Sequence, residues 1–370
     1  AITLSPTVSF NNATLSEGTD YTVSFTNNTN AGTASLTITG TGNFTGSKTV
    51  SFTIVKATPT ITFVDVTKTY GESDFDLSAT SSSTGAFSYT INDANVATVT
   101  GSTTTIVGAG TTTVTVSQAA DTNYNTATAT MTLTVSQADI SNASITAIPD
   151  QTYTGSAITI SPTVTFNGST VTETTDYTVS FANNTNAGTA SLTITGTGNF
   201  TGSKTVSFTI VKDDSSITFN DVTKSFVDPD FNLTATSSST GAFTYTTADT
   251  YVATVSGNTV SIIGAGITTV TVSQAADSNY NTATATMTLT VGKINPTLSG
   301  FNALVKTYGD PDFELSTPIK NSDNTGAFNY ISSDSNIISL SGTTATILKA
   351  GVVTITANLA ADNNYNTASI

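Results

Sequence analysis

A strict two-residue alternation constrains this chain more than any other feature. In the stretch 117–135, SQAADTNYNTATATMTLTV, Ala127, Ala129, Met131, Leu133 and Val135 share one parity. Thr126, Thr128, Thr130, Thr132 and Thr134 share the other. A period of two sends alternate side chains to opposite faces of an extended backbone, so the segment predicts a half-buried β-strand. Just ahead of it lies a polar turn, 121–125, with Tyr124 near its centre. The stretch returns at 273–291 with one change, and an abbreviated copy, LAADNNYNTASI, occupies 359–370.

That recurrence belongs to a larger one. Shifting the chain by 156 positions aligns 1–137 with 157–293 without a gap, and self-similarity of this kind marks an array of repeated units. Two module types alternate. Type A spans 1–56, where it begins part-way through the pattern, and 138–212. Type B spans 57–137, 213–292 and, more divergently, 293–370, which stops before the MTLTV of its siblings. The third B copy has three extra residues between Phe313 and Gly326. The two most alike B copies are separated by an A, an order that discourages strand exchange between near-identical neighbours.

Within B, strands are expected at 61–63, 75–79, 86–90, 96–99, 103–107, 111–116 and 126–135. Short strands at such spacing, with no helical periodicity, indicate all-β sandwiches of about seven strands each. Linkers of a few residues, without Gly/Ser or Pro-rich spacers, imply abutting neighbours. The expectation is a set of tandem Ig-like β-sandwich domains forming an elongated rod.

Composition closes off other classes. Charged residues are 9% of the chain and hydrophobic residues 37%, below the usual values for soluble domains. Thr, Ser and Asn supply the missing polarity, as suits the wet face of a sheet. There is no Cys, His or Trp, and all ten basic residues are Lys. Disulfides, thiolate metal sites and most acid–base or nucleophilic constellations therefore cannot be assembled. A net charge of −15 opposes nucleic acid and anionic membrane, and no apolar run reaches a membrane span. The reading is no enzyme, no nucleic acid and no membrane insertion of this segment.

A family resemblance rests on YGESDFDL (70–77), DPDFNL (228–233), YGDPDFEL (308–315), the GAF triplets, and VGAGTTTVTVSQAADTNYN (107–125) with its counterpart at 262–281. The A modules contribute NNTNAGTASLTITGTGNFTGSKTVSFTI. These resemble the MBG-type and bacterial Ig-like repeats of giant cell-surface adhesins in Bacteroidetes, and the A/B alternation is similar to that of gliding-motility adhesins. Glu72-Ser73 departs from the pattern, standing where the other B copies have Asp-Pro. The resemblance implies a non-enzymatic stalk segment, extracellular and outer-membrane associated, exported by type IX secretion. Its partners would be surface motility or secretion machinery, and extracellular surfaces or polysaccharides met through other parts of the parent protein. The alternative is a multivalent array binding polysaccharide weakly at each module.

Several residues are candidates for more than scaffold. Tyr124, Tyr280 and Tyr365 each follow an Asp by three positions and open the last strand. They predict a lock in which the hydroxyl bonds nearby backbone, against a glycan-stacking reading. Asp74, Asp76, Asp228, Asp230, Asp310 and Asp312, with Glu72 and Glu314, form acidic clusters suited either to ordinary turns or to calcium. No other cofactor is implied. A glycosidase pair would need a unique cleft, which a carboxylate pattern repeated in every module does not offer. The Thr rows are similar to ice-binding ladders but belong to strands expected to twist. Asn43, Asn142, Asn199 and Asn232 head Asn-x-Ser/Thr triplets.

Overall fold

The computed structural model describes residues 1–370. It is all-β, its one helical segment being a three-residue 3₁₀ turn, Ile140–Asn142, capped by the Asp139 side chain. The residues group into two compact units. One comprises Ala1–Pro149, Thr159–Ala182 and Ala190–Phe208, the other Asp150–Ile158, Asn183–Thr189 and Thr209–Ile370.

In the first unit, residues 57–137 make a two-layer Ig-like sandwich. One layer has four strands in the order Phe87–Ile91, Gly110–Gln118, Ala127–Ser136, Val66–Thr69. The other runs Ala97–Thr100, Thr103–Ile106, Phe75–Asp76. Between them lies a core of Leu77, Val96, Ala97, Val114, Met131, Leu133 and Val135. The parity expected for Ala127–Ser136 holds at the inward positions: Met131, Leu133 and Val135 are 3%, 0% and 3% exposed. Their outward Thr neighbours face Thr111, Thr113 and Thr115 across the ladder, so one face is dry and the other is hydroxylated.

Two features differ from the strand pattern expected of the sequence. Val66–Thr69 is a strand, pairing parallel with Leu133–Ser136. It is four residues long and contains Lys68, whose ammonium sits 5.0 Å from the Phe75 ring centroid, so no alternation announces it. The strand expected at 75–79 is only Phe75–Asp76, and Thr80–Ser81 turns away to pair with Ile61–Thr62. These two account for nine strands where about seven were expected.

The same unit holds the sheet Tyr21–Thr26, Gly32–Gly40, Ser47–Ile54. It also holds a core of Ala138, Ile140, Ala143, Val164, Leu192, Ile194 and Phe200, among others. Tyr70 packs against this core and against that of 57–137. The two interiors therefore share an aromatic side chain.

In the second unit, residues 213–292 repeat the sandwich strand for strand, with Phe243–Thr247, Gly266–Gln274, Ala283–Gly292 and Val222–Ser225 in one layer. Their core is Leu233, Val252, Ala253, Val260, Val270, Met287, Leu289 and Val291. Residues 293–370 have a smaller one of Leu315, Tyr330, Ala345 and Ala357. The extra residues of this copy surround the strand Ile319–Lys320, which pairs with Leu298–Ser299.

Leu289 is fully buried at the centre of its sandwich. Leu289→Ala is expected to cost about 2–5 kcal/mol by leaving a cavity. Because Leu133 belongs to a separate core, hydrogen exchange should show the loss confined to 213–292. Equal loosening of 57–137 would contradict the division into distinct cores.

Candidate functional site

The site is a repeated joint, and it starts from the polar turn. The Asp121 carboxylate collects five hydrogen bonds. Oδ1 accepts from the backbone N–H groups of Asn123 and Tyr124, both at 2.8 Å. Oδ2 accepts from Ser83 Oγ at 2.9 Å, Thr84 N at 2.9 Å and Thr84 Oγ1 at 3.0 Å. Asp277 repeats this with Ser239, Thr240, Asn279 and Tyr280, and Asp362 with Thr325, Asn364 and Tyr365. Donors aimed at a carboxylate favour its charged form. The backbone N–H of Thr84 leads in holding Asp121 well below the usual carboxylate range. Thr240 does the same for Asp277, and Thr325 for Asp362.

The GAF triplet closes the loop that these aspartates hold. A Cβ on Gly85 would lie 1.8 Å from the Ala119 carbonyl oxygen, and one on Gly241 equally close to that of Ala275. Only glycine allows that approach. The buried Gln118 amide then donates to the carbonyls of Ser83 and Gly85, at 3.0 and 2.9 Å.

Next to the aspartate, the turn's asparagine faces outward. Asn123 Oδ1 accepts the backbone N–H of Ala31 at 2.8 Å, and Asn279 Oδ1 that of Ala187 at 2.9 Å. Asn364 Oδ1 accepts from Ala265 at 2.8 Å, and Asn199 Oδ1, in the Gly-Asn-Phe turn of type A, from Ala109 at 2.8 Å. Each donor lies in an Ala-Gly corner of the module before. In type A the corner glycines Gly32 and Gly188 have φ of 136°, a conformation open to glycine and costly for other residues. In type B the residue before the alanine is Gly108 or Gly264. A Cβ there would come within 3.2 or 3.3 Å of the incoming Asn Oδ1.

Linker and rings complete the joint. Ala57 N donates to Asn123 O at 2.9 Å and Asn125 N to Ala57 O at 2.8 Å, and Asp213 and Ile294 make the same pair of bonds with their turns. Lys56 and Lys293 reach the carbonyls of Asp121 and Asp362 at 2.6 Å, and Lys212 reaches that of Asp277. Edge-on ring pairs cover three of the joints: Tyr70–Phe200 at 5.4 Å, Tyr153–Tyr280 at 5.3 Å and Phe226–Tyr365 at 5.8 Å. Tyr124, Tyr280 and Tyr365 are thus tied through their backbone amides, and two of them through their rings. Their hydroxyls take no part in these bonds. The Asn residues were missed as joint residues in the sequence because their partners lie 90 to 99 positions away.

The acidic clusters spread over turns. Asp228 and Asp310 accept the backbone N–H of Ser225 and Thr307. Asp76 accepts from Ser102 and Thr103 hydroxyls, Asp230 from Ser261, and Glu314 from Thr344. Glu72 pairs with Lys68 at 3.2 Å. Asp74 and Asp312 are exposed. Nowhere do three or more carboxylates converge as a metal cage. Among the triplet asparagines, Asn199 belongs to a joint, Asn232 accepts from Thr259, and Asn43 and Asn142 are exposed.

No family model and no curated protein matches this chain. Among solved structures, Drosophila N-cadherin EC1-4 aligns over 83% of this chain and 97% of its own at 11% identity and a TM-score of 0.25. The titin I-band fragment I67-I69 aligns over 64% and 100% at 14% identity and a TM-score of 0.28. Likenesses at that level carry nothing about function.

Two outcomes are expected. Asn279→Ala removes two bonds, the one accepted from Ala187 and the one donated by Nδ2 to Asn186 Oδ1 at 3.2 Å, each worth about 0.5–1.5 kcal/mol net. It should loosen the joint, seen as independent tumbling by NMR relaxation, while leaving the melting of each module nearly unchanged. The lowered pKa of Asp121, Asp277 and Asp362 means that their contribution to stability is present above the unfolded value of about 4 and is lost as pH falls towards the folded value. Acid melting should therefore steepen below about pH 4. In Asp277→Asn the share belonging to 213–292 should vanish, and an unaltered acid profile for that module would refute the assignment.

Proposed function

We propose that this chain is a load-bearing spacer in the stalk of a bacterial cell-surface adhesin, holding a binding region away from the cell. The observation that carries the reading is the joint itself. One amide-to-amide bond, flanked by linker pairing and, at three of the four junctions, by a ring contact, recurs wherever one module meets the next, in both units. A chain selected to bind or transform a ligand would concentrate unusual chemistry in one place. This chain instead repeats its most specific geometry at every junction. The tandem Ig-like architecture supports an extracellular structural role. Gliding motility, type IX export and outer-membrane association belong to the proposal, resting on the repeat motifs.

A rod-like scattering profile, the same in millimolar calcium and in EDTA, is expected, because the joints are closed by amides of the chain itself. Collapse of the profile in EDTA would overturn the calcium-free joint. Saturable binding to a polysaccharide panel would replace the spacer with a carbohydrate-binding array.

A further inference from the structure

Modules 57–137 and 213–292 each guard one edge of the four-stranded sheet and leave the other open. Val66–Thr69, at the guarded edge, pairs so that Lys68 stands opposite Val135 and shares its inward parity. Lys224 stands likewise opposite Val291. The two ammonium groups lie 5.0 and 4.9 Å from the Phe75 and Phe231 ring centroids. A charge on the inward side of an edge strand deters further pairing. The opposite edge, Phe87–Ile91 or Phe243–Thr247, reads FSYTI or FTYTT. It has no charge, no proline and no bulge, and its register against Gly110–Gln118 or Gly266–Gln274 is unbroken.

The open edge also presents its backbone. Ala119 N donates to Ala86 O at 3.0 Å and Asn92 N to Thr113 O at 3.1 Å. In the second module Ala275 N donates to Ala242 O and Ala248 N to Thr269 O. Hydrogen-bonded pairs alternate along an antiparallel ladder. Ser88 and Thr90 therefore spend their backbone groups on the neighbouring strand. Phe87, Tyr89 and Ile91 turn theirs to the outside, where they carry no hydrogen bond, and Phe243, Tyr245 and Thr247 do the same. The side chains of these residues are half-buried along the inner face, where the Tyr89 ring centroid lies 6.4 Å from that of Phe87 and 5.8 Å from that of Phe63. Ser88, Thr90, Thr244 and Thr246 are exposed on the outer face. An uncharged edge with free backbone groups is a template for another strand.

We infer that this edge is a lateral docking surface for a second copy of the chain, joined edge to edge and antiparallel. The strand is its own complement. With Tyr89 opposite its counterpart in another copy, Phe87 faces Ile91 and Ser88 faces Thr90. The three residues with outward backbone groups then exchange hydrogen bonds in pairs. Apolar side chains meet apolar ones on the inner face and hydroxyls meet hydroxyls on the outer, and no charge is brought to the junction. The two modules also match each other, with Tyr89 opposite Tyr245 and Ile91 opposite Phe243. One junction of five residues a side is small for a stable dimer, so the contact is weak at a single module and gains where a chain offers two. The inference stands on the contrast between the two edges and is independent of the adhesin reading.

The test is sedimentation equilibrium and amide exchange on the whole chain at high ionic strength, where the net charge of −15 is screened. Expected are a weight-average mass that rises with concentration, and exchange that slows in step at Phe87, Tyr89, Ile91, Phe243, Tyr245 and Thr247. A monomer at every concentration, or association without that protection, overturns the proposal. Ser88→Lys, Thr90→Lys, Thr244→Lys and Thr246→Lys together set like charges opposite one another and should weaken association about tenfold. The same four positions changed to Asp should weaken it as much. Mixing the two variants should restore association, because opposite charges then meet in the same register. Thr113→Lys with Thr269→Lys, exposed on the neighbouring strand, should leave it intact. A mixture that does not recover, or equal weakening by the neighbouring-strand pair, overturns the edge as the contact.

Discussion

Each type B module hangs together, and meets the module before it, through one short turn whose two polar residues point opposite ways. The aspartate faces its own domain and ties the loop ahead of the GAF strand to the start of the last strand. The asparagine two residues on faces the previous domain and receives its corner amide. Because Asp121 Oδ1 binds the backbone N–H of Asn123 itself, the inward knot sets the position of the outward acceptor. Rigidity inside a module is thereby passed to the junction without a long side chain, and short side chains lose little entropy when fixed.

The sandwich was legible because its cause is local. A two-residue period over ten positions leaves few alternatives, and Met131, Leu133 and Val135 lie inward as their parity requires. The repeat spacing likewise exposed the modular plan. What stayed hidden arises from partners distant in sequence. The Ala109–Asn199 bond joins two ordinary-looking residues, and neither is charged, aromatic or oddly spaced enough to stand out. Val66–Thr69 was hidden for another reason: an edge strand of four residues with a lysine inside gives no periodic signal, and its place follows from the strand it pairs with. The acidic clusters misdirected in the opposite sense. Carboxylates are conspicuous in a chain with 9% charge, yet most of them serve nearby hydroxyls and amides.

The copies also show what the fold holds fixed and what it lets vary. In the second B module Gln274 spends both ends of its amide, donating to Ser239 and Gly241 and accepting from Ser215. In the first, Pro59 replaces that serine, and the Gln118 Oε1 is left buried without a partner, a cost of about 1–3 kcal/mol where it is not relieved. The third discards the glutamine for Leu359. There Asn324, 2% exposed, supports the loop from the other side, with Oδ1 accepting from Gly326 N at 2.6 Å and Nδ2 reaching the Ala360 carbonyl at 3.3 Å. Support of the glycine loop by a buried amide persists in all three while the residue carrying it changes.

The joint tolerates the same freedom. Asparagine in an Asn-Tyr turn accepts from a type A corner and from a type B corner, and asparagine in an Asn-Phe turn accepts from type B. The same hydrogen-bond chemistry therefore serves three of the four possible pairings of corner and turn. The last corner, Lys349-Ala350-Gly351, differs. It places a lysine where Gly108 and Gly264 leave room for the incoming asparagine. The bulk beside each corner and the ring offered at Tyr70, Tyr153 or Phe226 vary from joint to joint, while the amide bond supplies a common grip.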